Sequence, residues 1–252
     1  MNPVAGRLIL VSSLLGLLLA SGCGGGDGGS VDTRPWAEEP FSFEVPAGTD
    51  LAALELTGFN GSIAVSGAPG VDPISVTGLR RVQADTIEDA NLHLADLKVE
   101  VSTPSGTKVL VKTVQPSVSA GRNYVVDYTI SLPQDFDCTI RSLNGKILAS
   151  AIHGNASLEL LNGEITASLT LPPSGTVDIR VTNGNIDLRI PQSTSAAFTA
   201  SVAIGSITLT NLTLVDDPGS TPNARIGTLN PPSAGGTISL HVVNGTITVH
   251  GV

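Results

Sequence analysis

Side chains that could carry out catalysis are few in this sequence. Three pairs of carboxylates lie near each other along the chain and could in principle cleave polysaccharides: Asp135 with Asp137, Asp178 with Asp187, and Asp216 with Asp217. That chemistry needs two carboxylates that converge across a cleft. Asp178 and Asp187 flank one turn and could face each other, whereas Asp216 and Asp217 begin a turn within a predicted loop over 211–224. We predict that the protein is not an enzyme.

Metal and nucleophile chemistry is also poorly supported. The four histidines are scattered (His93, His153, His241 and His250), and none has the spacing of a metal-ligand pair. Cys138 has no nearby partner in the sequence. We expect His241 and His250 to be exposed, and we expect neither a metal nor a cofactor.

Cys23 is the residue with the clearest chemistry. An apolar run from Leu8 to Ala20 follows Arg7 and ends in Leu19-Ala20-Ser21-Gly22-Cys23. The run is too short to cross a bilayer, which takes roughly 20 residues. The sequence around the cysteine resembles the lipobox of bacterial lipoproteins, although Ala20 stands where Leu is more usual. The resemblance implies a signal peptide over 1–22 and lipidation of Cys23; the alternative is an ordinary signal peptide cut near Ala20 or Gly22.

The residues after Cys23 are typical of a tether. The segment 24–30 consists of glycines with Asp27 and Ser30, a composition that stays flexible. We assign 23–40 to the lipidated cysteine and its tether, and 41–252 to a folded domain. Several acyl chains on Cys23 would hold the protein firmly in the cell envelope. Gly24, rather than Asp, favours the outer membrane if the organism has one.

The composition of the chain limits its possible partners and its class of fold. A net charge of −9 argues against nucleic acid as a partner, because nucleic-acid binding needs clustered basic residues. Aromatic residues make up 3% and charged residues 14% of the chain, while small, hydroxyl and aliphatic residues dominate. This mixture indicates β-structure with many turns and an aliphatic core.

The strongest pattern is a repeat of Asn-Gly-x-Ile with a period of about 20 residues. The gap between its first two copies is about four periods. Two further segments resemble it: Ile204-Gly205-Ser206-Ile207, and more weakly 225–229. The predicted turn residues are Asn60, Gly61, Asn144, Gly145, Asn162, Gly163, Asn183, Gly184, Gly205, Asn244 and Gly245. Glycine is expected because the turn needs a positive φ, and Asn because it tolerates that region.

Aliphatic residues alternate with polar ones on both sides of each Asn-Gly pair. Ile occupies the third position after Asn in each of the five Asn-Gly copies, and an aliphatic residue stands four positions before it. Such alternation predicts strands with one apolar face. The strands could form an antiparallel meander with hairpin turns. We favour a single-stranded β-solenoid, because stacked coils explain why Ile keeps one fixed offset from each turn.

Charges repeat at the same height on successive predicted coils. Arg141, Glu159 and Arg180 stand three positions before the Asn, and Lys146 and Glu164 two positions after it. Opposite charges on neighbouring strands would add a few tenths of a kcal/mol each. We expect these rows to form ion pairs across adjacent coils.

The first half of the domain, 41–126, looks like a weaker copy of the second half, 127–252. The strand 41–46 precedes the first Asn-Gly much as 128–133 precedes the second, and both end in Pro. Between them, residues 84–97 carry Ile87, Ala90 and Leu94 at helical spacing. We predict one short helix there that caps an open end of the stack.

An aliphatic strand that ends in Pro, followed by repeated Asn-Gly-x-Ile strands, resembles the bacterial β-strand-repeat family named "putative adhesin". It also resembles the head domains of auto-transporter adhesins and toast-rack domains. The resemblance covers 41–252 and implies an all-β, right-handed β-helix-like solenoid. It carries over no catalytic residue, because the recurring motif is a turn.

Three functions remain open. The first is a structural or adhesive module of the cell envelope, with an unknown protein or glycan as partner. The second is a carbohydrate- or peptidoglycan-binding module, although Trp36 falls in the predicted tether and Tyr124 and Tyr128 are the only tyrosines. The third is an accessory of an envelope-stress signalling system. We favour the first.

Overall fold

The computed structural model describes residues 32–48, 50–231 and 235–252. The predicted signal peptide, Cys23 and residues 24–31 of the predicted tether lie outside these residues. The described part is all-β apart from one helix, as the sequence predicts. Its elements in chain order are β1 (Trp36–Val45), β2 (Ala53–Thr57), β3 (Asn60–Ala68), β4 (Ile74–Gln83), α1 (Ile87–Leu94), β5 (Lys98–Ser102), β6 (Lys108–Val114), β7 (Asn123–Pro133), β8 (Asp137–Ile152), β9 (Ala156–Leu169), β10 (Thr176–Ile190), β11 (Ala196–Thr210), β12 (Leu214–Asp216), β13 (Ala224–Leu229) and β14 (Thr237–Gly251).

The centre of the molecule is a stack of parallel strands that share one register. It comprises β8, β9, β10, β14 and β11, each paired with the next in that order. Equivalent residues of the repeat lie side by side, so that Asn162 aligns with Asn144 and with Asn183. Each strand continues through its Asn-Gly pair, with pairing on both sides of it. The Asn-Gly pairs are therefore corners within long parallel strands rather than hairpin turns.

The aliphatic rows on both sides of the corners point into one hydrophobic core. Ile179 before the corner of β10 and Ile186 after it are both buried in the same cluster. Their equivalents in β8, β9 and β14 are buried as well. The predicted inward rows are thus confirmed on both sides of the corner, because alternate side chains of a strand point to opposite sides of the sheet.

The strands do not stack in chain order, which differs from a simple solenoid. Asn60 lies directly beside Asn144 although the two are 84 residues apart, so the intervening chain does not form four coils. The C-terminal strand β14 inserts between β10 and β11. The weak repeat at 225–229 belongs to β13, which runs antiparallel to β11 and is not a coil.

The N-terminal half departs further from the predicted plan. β7 pairs parallel with β3, but β4 runs antiparallel to β7 and β1 antiparallel to β4. On the other side of the corner, β6 pairs parallel with β2, and β5 pairs antiparallel with β6. The half 41–126 therefore repeats the coil only in β2 and β3, which pair in parallel and in register with β8, and its other strands follow a different plan. Residues 36–40, which the sequence assigned to the tether, belong to β1.

The predicted helix is present and shorter than the span 84–97. It begins after Thr86, whose hydroxyl accepts a hydrogen bond from the Asp89 N–H, as a typical N-cap does. Ala90 is buried against Ala37 of β1 and against Ala84, so α1 lies on the terminal strands β1 and β4. Within the described residues, no helix has the length and hydrophobicity that crossing a bilayer requires.

Candidate functional site on the stacked strands

The corner of the stack is lined by an amide ladder. The Nδ2 of Asn144 donates to the Oδ1 of Asn60 at 2.7 Å, and Asn162, Asn183 and Asn244 continue the series at 2.8 Å per step. At one end of the ladder, the Nδ2 of Asn60 donates to the carbonyl oxygen of Tyr124. Each inner Asn therefore donates to one neighbour and accepts from the other. The ladder, rather than tolerance of a positive φ, explains the Asn, because none of these Asn residues has a positive φ.

Two features of the corner require glycine, one that the sequence predicts and one that it does not. Gly163 and Gly184 have φ of 136° and 139°, which confirms the expected positive φ. A Cβ on either would also overlap the backbone carbonyl of the glycine on the preceding strand. The close approach of the backbones thus excludes a side chain independently of φ.

Asn183→Asp is expected from the sequence to be mild, since Asp tolerates turns. The ladder contradicts the reason for that expectation. Asn183 donates to Asn162 and accepts from Asn244. A carboxylate can only accept hydrogen bonds. An aspartate at this position would place two acceptors against each other.

A groove runs across the strands just before the corner, and it is the best candidate for a binding site. Its volume is about 460 Å³. One wall is the outward row that stands immediately before the Asn. In that row Leu143 and Leu161 are each 43% exposed, and Phe59 and Val243 also line the groove. The row places two exposed leucines side by side on β8 and β9, and Thr182 on β10 separates them from Val243 on β14.

The other wall of the groove carries charges that are largely paired within the molecule. Arg141 lies 3.4 Å from Glu159 across adjacent strands, as the sequence predicts. Arg180 pairs instead with Asp178 on its own strand at 3.0 Å, and this hydrogen-bonded carboxylate raises the pKa of Arg180. The second predicted pair, Lys146 with Glu164, forms at 3.2 Å after the corner.

The candidate carboxylate pairs do not form acid and base couples. Asp178 binds Arg180, while Asp187 lies 3.5 Å from Arg189 and 3.9 Å from His250. Asp137 accepts hydrogen bonds from Asn155, and Asp135 lies 3.8 Å from His153. Each carboxylate of these two pairs therefore has a basic or amide side chain beside it, although the buried Oδ1 of Asp187 makes no hydrogen bond.

The predicted loop 211–224 contains β12 and the start of β13, so the prediction of a loop is wrong in part. β12 and β13 form an antiparallel hairpin. Asp216 and Arg225 join its two strands by hydrogen bonds of 2.8 and 2.9 Å. Arg225 lowers the pKa of Asp216. Asp216 therefore has a structural partner across the hairpin.

The histidines and Cys138 occupy structural positions. His241 is exposed and bonds to Ser201, while His250 is half-buried and bonds to Thr210. Cys138 is buried, and burial raises the pKa of its thiol to about 12. A thiol of that pKa is not a nucleophile at neutral pH. Among the described residues, no group of three or more His, Cys, Asp or Glu side chains could hold a metal.

Sequence reasoning missed the ladder and the groove. The signal for the groove was present: in four of the five Asn-Gly copies an apolar residue immediately precedes the Asn (Phe59, Leu143, Leu161 and Val243), and the exception is Thr182. Their apolar character breaks the alternation of polar outward residues. Read along the repeat, this position would have indicated an exposed apolar row.

The sequence matches no family model and no curated protein. Among solved structures, a "putative cell adhesion protein" from Clostridium sporogenes superimposes with a TM-score of 0.55 and 12% identity, over 86% of this chain and 100% of that chain. A "putative adhesin" from Bacteroides fragilis covers 87% of this chain and 98% of its own, with 8% identity and a TM-score of 0.20. A third, from Parabacteroides distasonis, has 9% identity, the same coverages and a TM-score of 0.22. Only the first superposition is good enough to indicate a shared fold.

Proposed function

We propose that this protein is a non-enzymatic adhesive module of the bacterial cell envelope, held in the membrane by lipid on Cys23. One observation carries the adhesive part: two exposed leucines, Leu143 and Leu161, lie side by side on the adjacent strands β8 and β9, which the amide ladder holds in register. Contiguous exposed apolar residues with a polar surround are typical of interaction sites. The partner is a protein or a glycan on an opposing surface.

The shared fold with the Clostridium sporogenes protein supports this proposal, since the name of that protein gives cell adhesion as its role. The self-paired carboxylates support a role without catalysis. Gly24 after the cysteine supports placement in the outer membrane of a diderm organism.

We also infer that β8, β9 and β10 form successive coils of a right-handed solenoid. Three consecutive long strands pair in parallel with equivalent residues aligned, as coils do. Connections between parallel strands of one sheet are almost always right-handed. β14 then adds a further parallel strand beside β10, although it comes last in the chain.

The test uses two leucines of the same strand. Leu143 lies in the groove at 43% exposure, and Leu148 lies after the corner at 41% exposure. Cells that carry the full chain should attach to other cells and to glycan-coated surfaces. Leu143→Glu should reduce attachment at least about tenfold, because a charge in an apolar contact must be desolvated. Leu148→Glu should leave attachment unchanged.

Cys23→Ser supplies the test of the anchor. The variant should lose lipid labelling and appear in the medium or remain unprocessed. Attachment that is equal for all variants, including cells without the protein, would refute the adhesive function. A Cys23→Ser protein that is acylated normally would refute the anchor.

A further inference from the structure

The sheet of this protein has four open edges within the described residues, and three of them are protected against pairing with another strand. β1 carries Glu38, Glu39 and Pro40. β5 carries Lys98 and Glu100, and β12 is only three residues long. Charges, proline and short length are the usual means of blocking an edge.

The fourth edge has none of these features. After its corner, β11 pairs with β14 on one side through residues 204–210, and no described strand pairs with its other side. The segment reads Ile-Gly-Ser-Ile-Thr-Leu-Thr, without charge or proline. An uncharged edge rich in β-branched residues is a template for strand addition.

The core beneath this edge is incompletely covered. Ile207 and Leu209 are half-buried, whereas the aligned Ile247 and Val249 on β14 are fully buried. Ile204, which replaces Asn at the corner, is 70% exposed. One more strand beside β11 would cover the inner pair and give the edge backbone its hydrogen-bond partners.

We propose that residues 204–210 pair edge to edge, in antiparallel orientation, with the same residues of a second copy of this chain. The charge distribution favours this occupant. Residues 203–214 contain no charged side chain, although the chain carries a net charge of −9. Two copies can therefore meet at this edge without bringing like charges together.

The position of the edge gives the pairing a direction. β1, which follows the predicted tether, and β11 are separated by the strands β4, β7, β3, β8, β9, β10 and β14. At about 4.8 Å per strand, the separation is roughly 38 Å. A copy anchored at Cys23 thus presents its free edge away from its own membrane, and pairing joins copies on opposing membranes. This step rests on the proposed anchor; the pairing itself does not.

The alternation of the strand limits the register. Residues that oppose each other in an antiparallel pair point to the same face of the sheet. A two-fold axis at Thr208 pairs residues 206–210 of this edge with one another: Thr208 lies beside its copy, and Ile207 lies beside Leu209 of the second copy. The inner apolar residues then meet, and the hydroxyl residues face outward.

Cysteine crosslinking tests the pairing. The full chain is prepared with Thr208→Cys, in solution together with Cys23→Ser and in vesicles with acylated Cys23. Cys138 is buried, so the new thiol is the reactive one. At the two-fold axis the Cα atoms of the two copies lie about 5 Å apart, within reach of a disulfide. Thr248→Cys is the matched control, since Thr248 is the partner of Thr208 on β14. Its copies would lie about 14 Å apart, which is too far.

The expected result is a disulfide-linked dimer with Thr208→Cys and none with Thr248→Cys. With two differently tagged copies in separate phosphatidylethanolamine and phosphatidylglycerol vesicles, the crosslink should join both tags. Equal crosslinking of the two variants, or none with Thr208→Cys, would overturn the proposal. Crosslinks confined to copies within one vesicle would overturn the trans arrangement.

Clustering of the same vesicles gives a second readout. Wild-type vesicles should cluster, and Thr208→Lys should reduce clustering at least about tenfold because like charges would meet at the axis. Thr248→Lys should have no such effect. If Leu143→Glu abolishes cell attachment while Thr208→Lys changes neither assay, the adhesive function stands and the edge pairing is refuted. If Thr208→Lys alone abolishes clustering and Leu143→Glu leaves attachment unchanged, the edge pairing stands and the groove is refuted.

Discussion

The stacked strands and the N-terminal end of this protein are stabilised in different ways. In the stack, β8, β9, β10 and β14 repeat one set of contacts: buried aliphatic rows, a glycine at the corner and neutral amides that bond to each other. At the N-terminal end each contact occurs once. Arg80 pairs with Glu39 at 2.6 Å, and Phe41 packs edge-on against Tyr128 at 5.5 Å between ring centroids.

The difference shows how a chain with few charged residues can be held in register. In the stack, any shift between strands would misalign every amide and every glycine at once. The N-terminal end uses ion pairs and aromatic contacts whose loss is local. We therefore expect stack variants to affect the whole domain and N-terminal variants to affect their own surroundings.

The largest effect is expected for Gly184→Ala. The new Cβ would overlap the carbonyl of Gly163 at a φ of 139°. Backbone strain and overpacking together should lower the free energy of unfolding by about 2–6 kcal/mol. Urea titration of the purified protein measures this loss.

Gly219→Ala is the matched control for that variant. Gly219 also has a positive φ, 101°, but a Cβ there meets nothing within 4 Å. Gly219→Ala should lower the free energy of unfolding only through backbone strain, by about 1–3 kcal/mol. If both variants lost equal stability, the close stacking of the corners would not be the cause.

A smaller effect is expected for Asn162→Ala. Asn162 donates to Asn144 and accepts from Asn183, whereas Asn244 makes one ladder bond, to Asn183. Each hydrogen bond contributes about 0.5–1.5 kcal/mol net to the free energy of unfolding. Asn162→Ala should therefore lower that free energy roughly twice as much as Asn244→Ala. Thermal melts of the two variants give the comparison. Equal losses would mean that the ladder adds little beyond the strand pairing.

The smallest effect is expected when the pH is lowered, and it concerns the stability of α1. Arg122 binds Asp89 of α1 and lowers the pKa of that carboxyl. Because the folded-state pKa lies below the unfolded value of about 3.9, the pair stabilises the fold above that pH. The contribution is lost as the pH falls through the lowered pKa. The ladder amides do not titrate, so acid should loosen α1 before the stack.

Hydrogen exchange at several pH values between neutral and acid checks this order. Amides of residues 87–94 should lose protection in acid while those of β9 and β10 keep it. In Arg122→Gln, the protection of 87–94 should already be low at neutral pH and should vary less with pH. Simultaneous loss of protection in both regions would contradict the separation.

The local plan of the stack could be predicted from the amino-acid sequence. The Asn-Gly repeat, the inward rows around Ile165 and Ile186, the positive φ at the glycines and the Arg141–Glu159 pair all follow from residue type and spacing. These features depend on neighbours within one repeat or on the adjacent repeat. The helix at Ile87–Leu94 was predictable for the same reason, since its cap and its spacing are local.

Which strands are neighbours could not be predicted in this way, because it depends on how the strands stack. The strands β8, β9, β10 and β14 present the same alternation and the same Asn-Gly corner, so chain order alone would place β11 beside β10. β14 takes that position, where Asn244 bonds to Asn183, and β11, with Ile204 in place of Asn, lies outside the ladder. The same holds for the contact of Asn60 with Asn144 across 84 residues of chain. The groove, the amide ladder and the open edge at 204–210 follow from that order of strands. They arise from side chains and backbones that meet only after the strands have stacked.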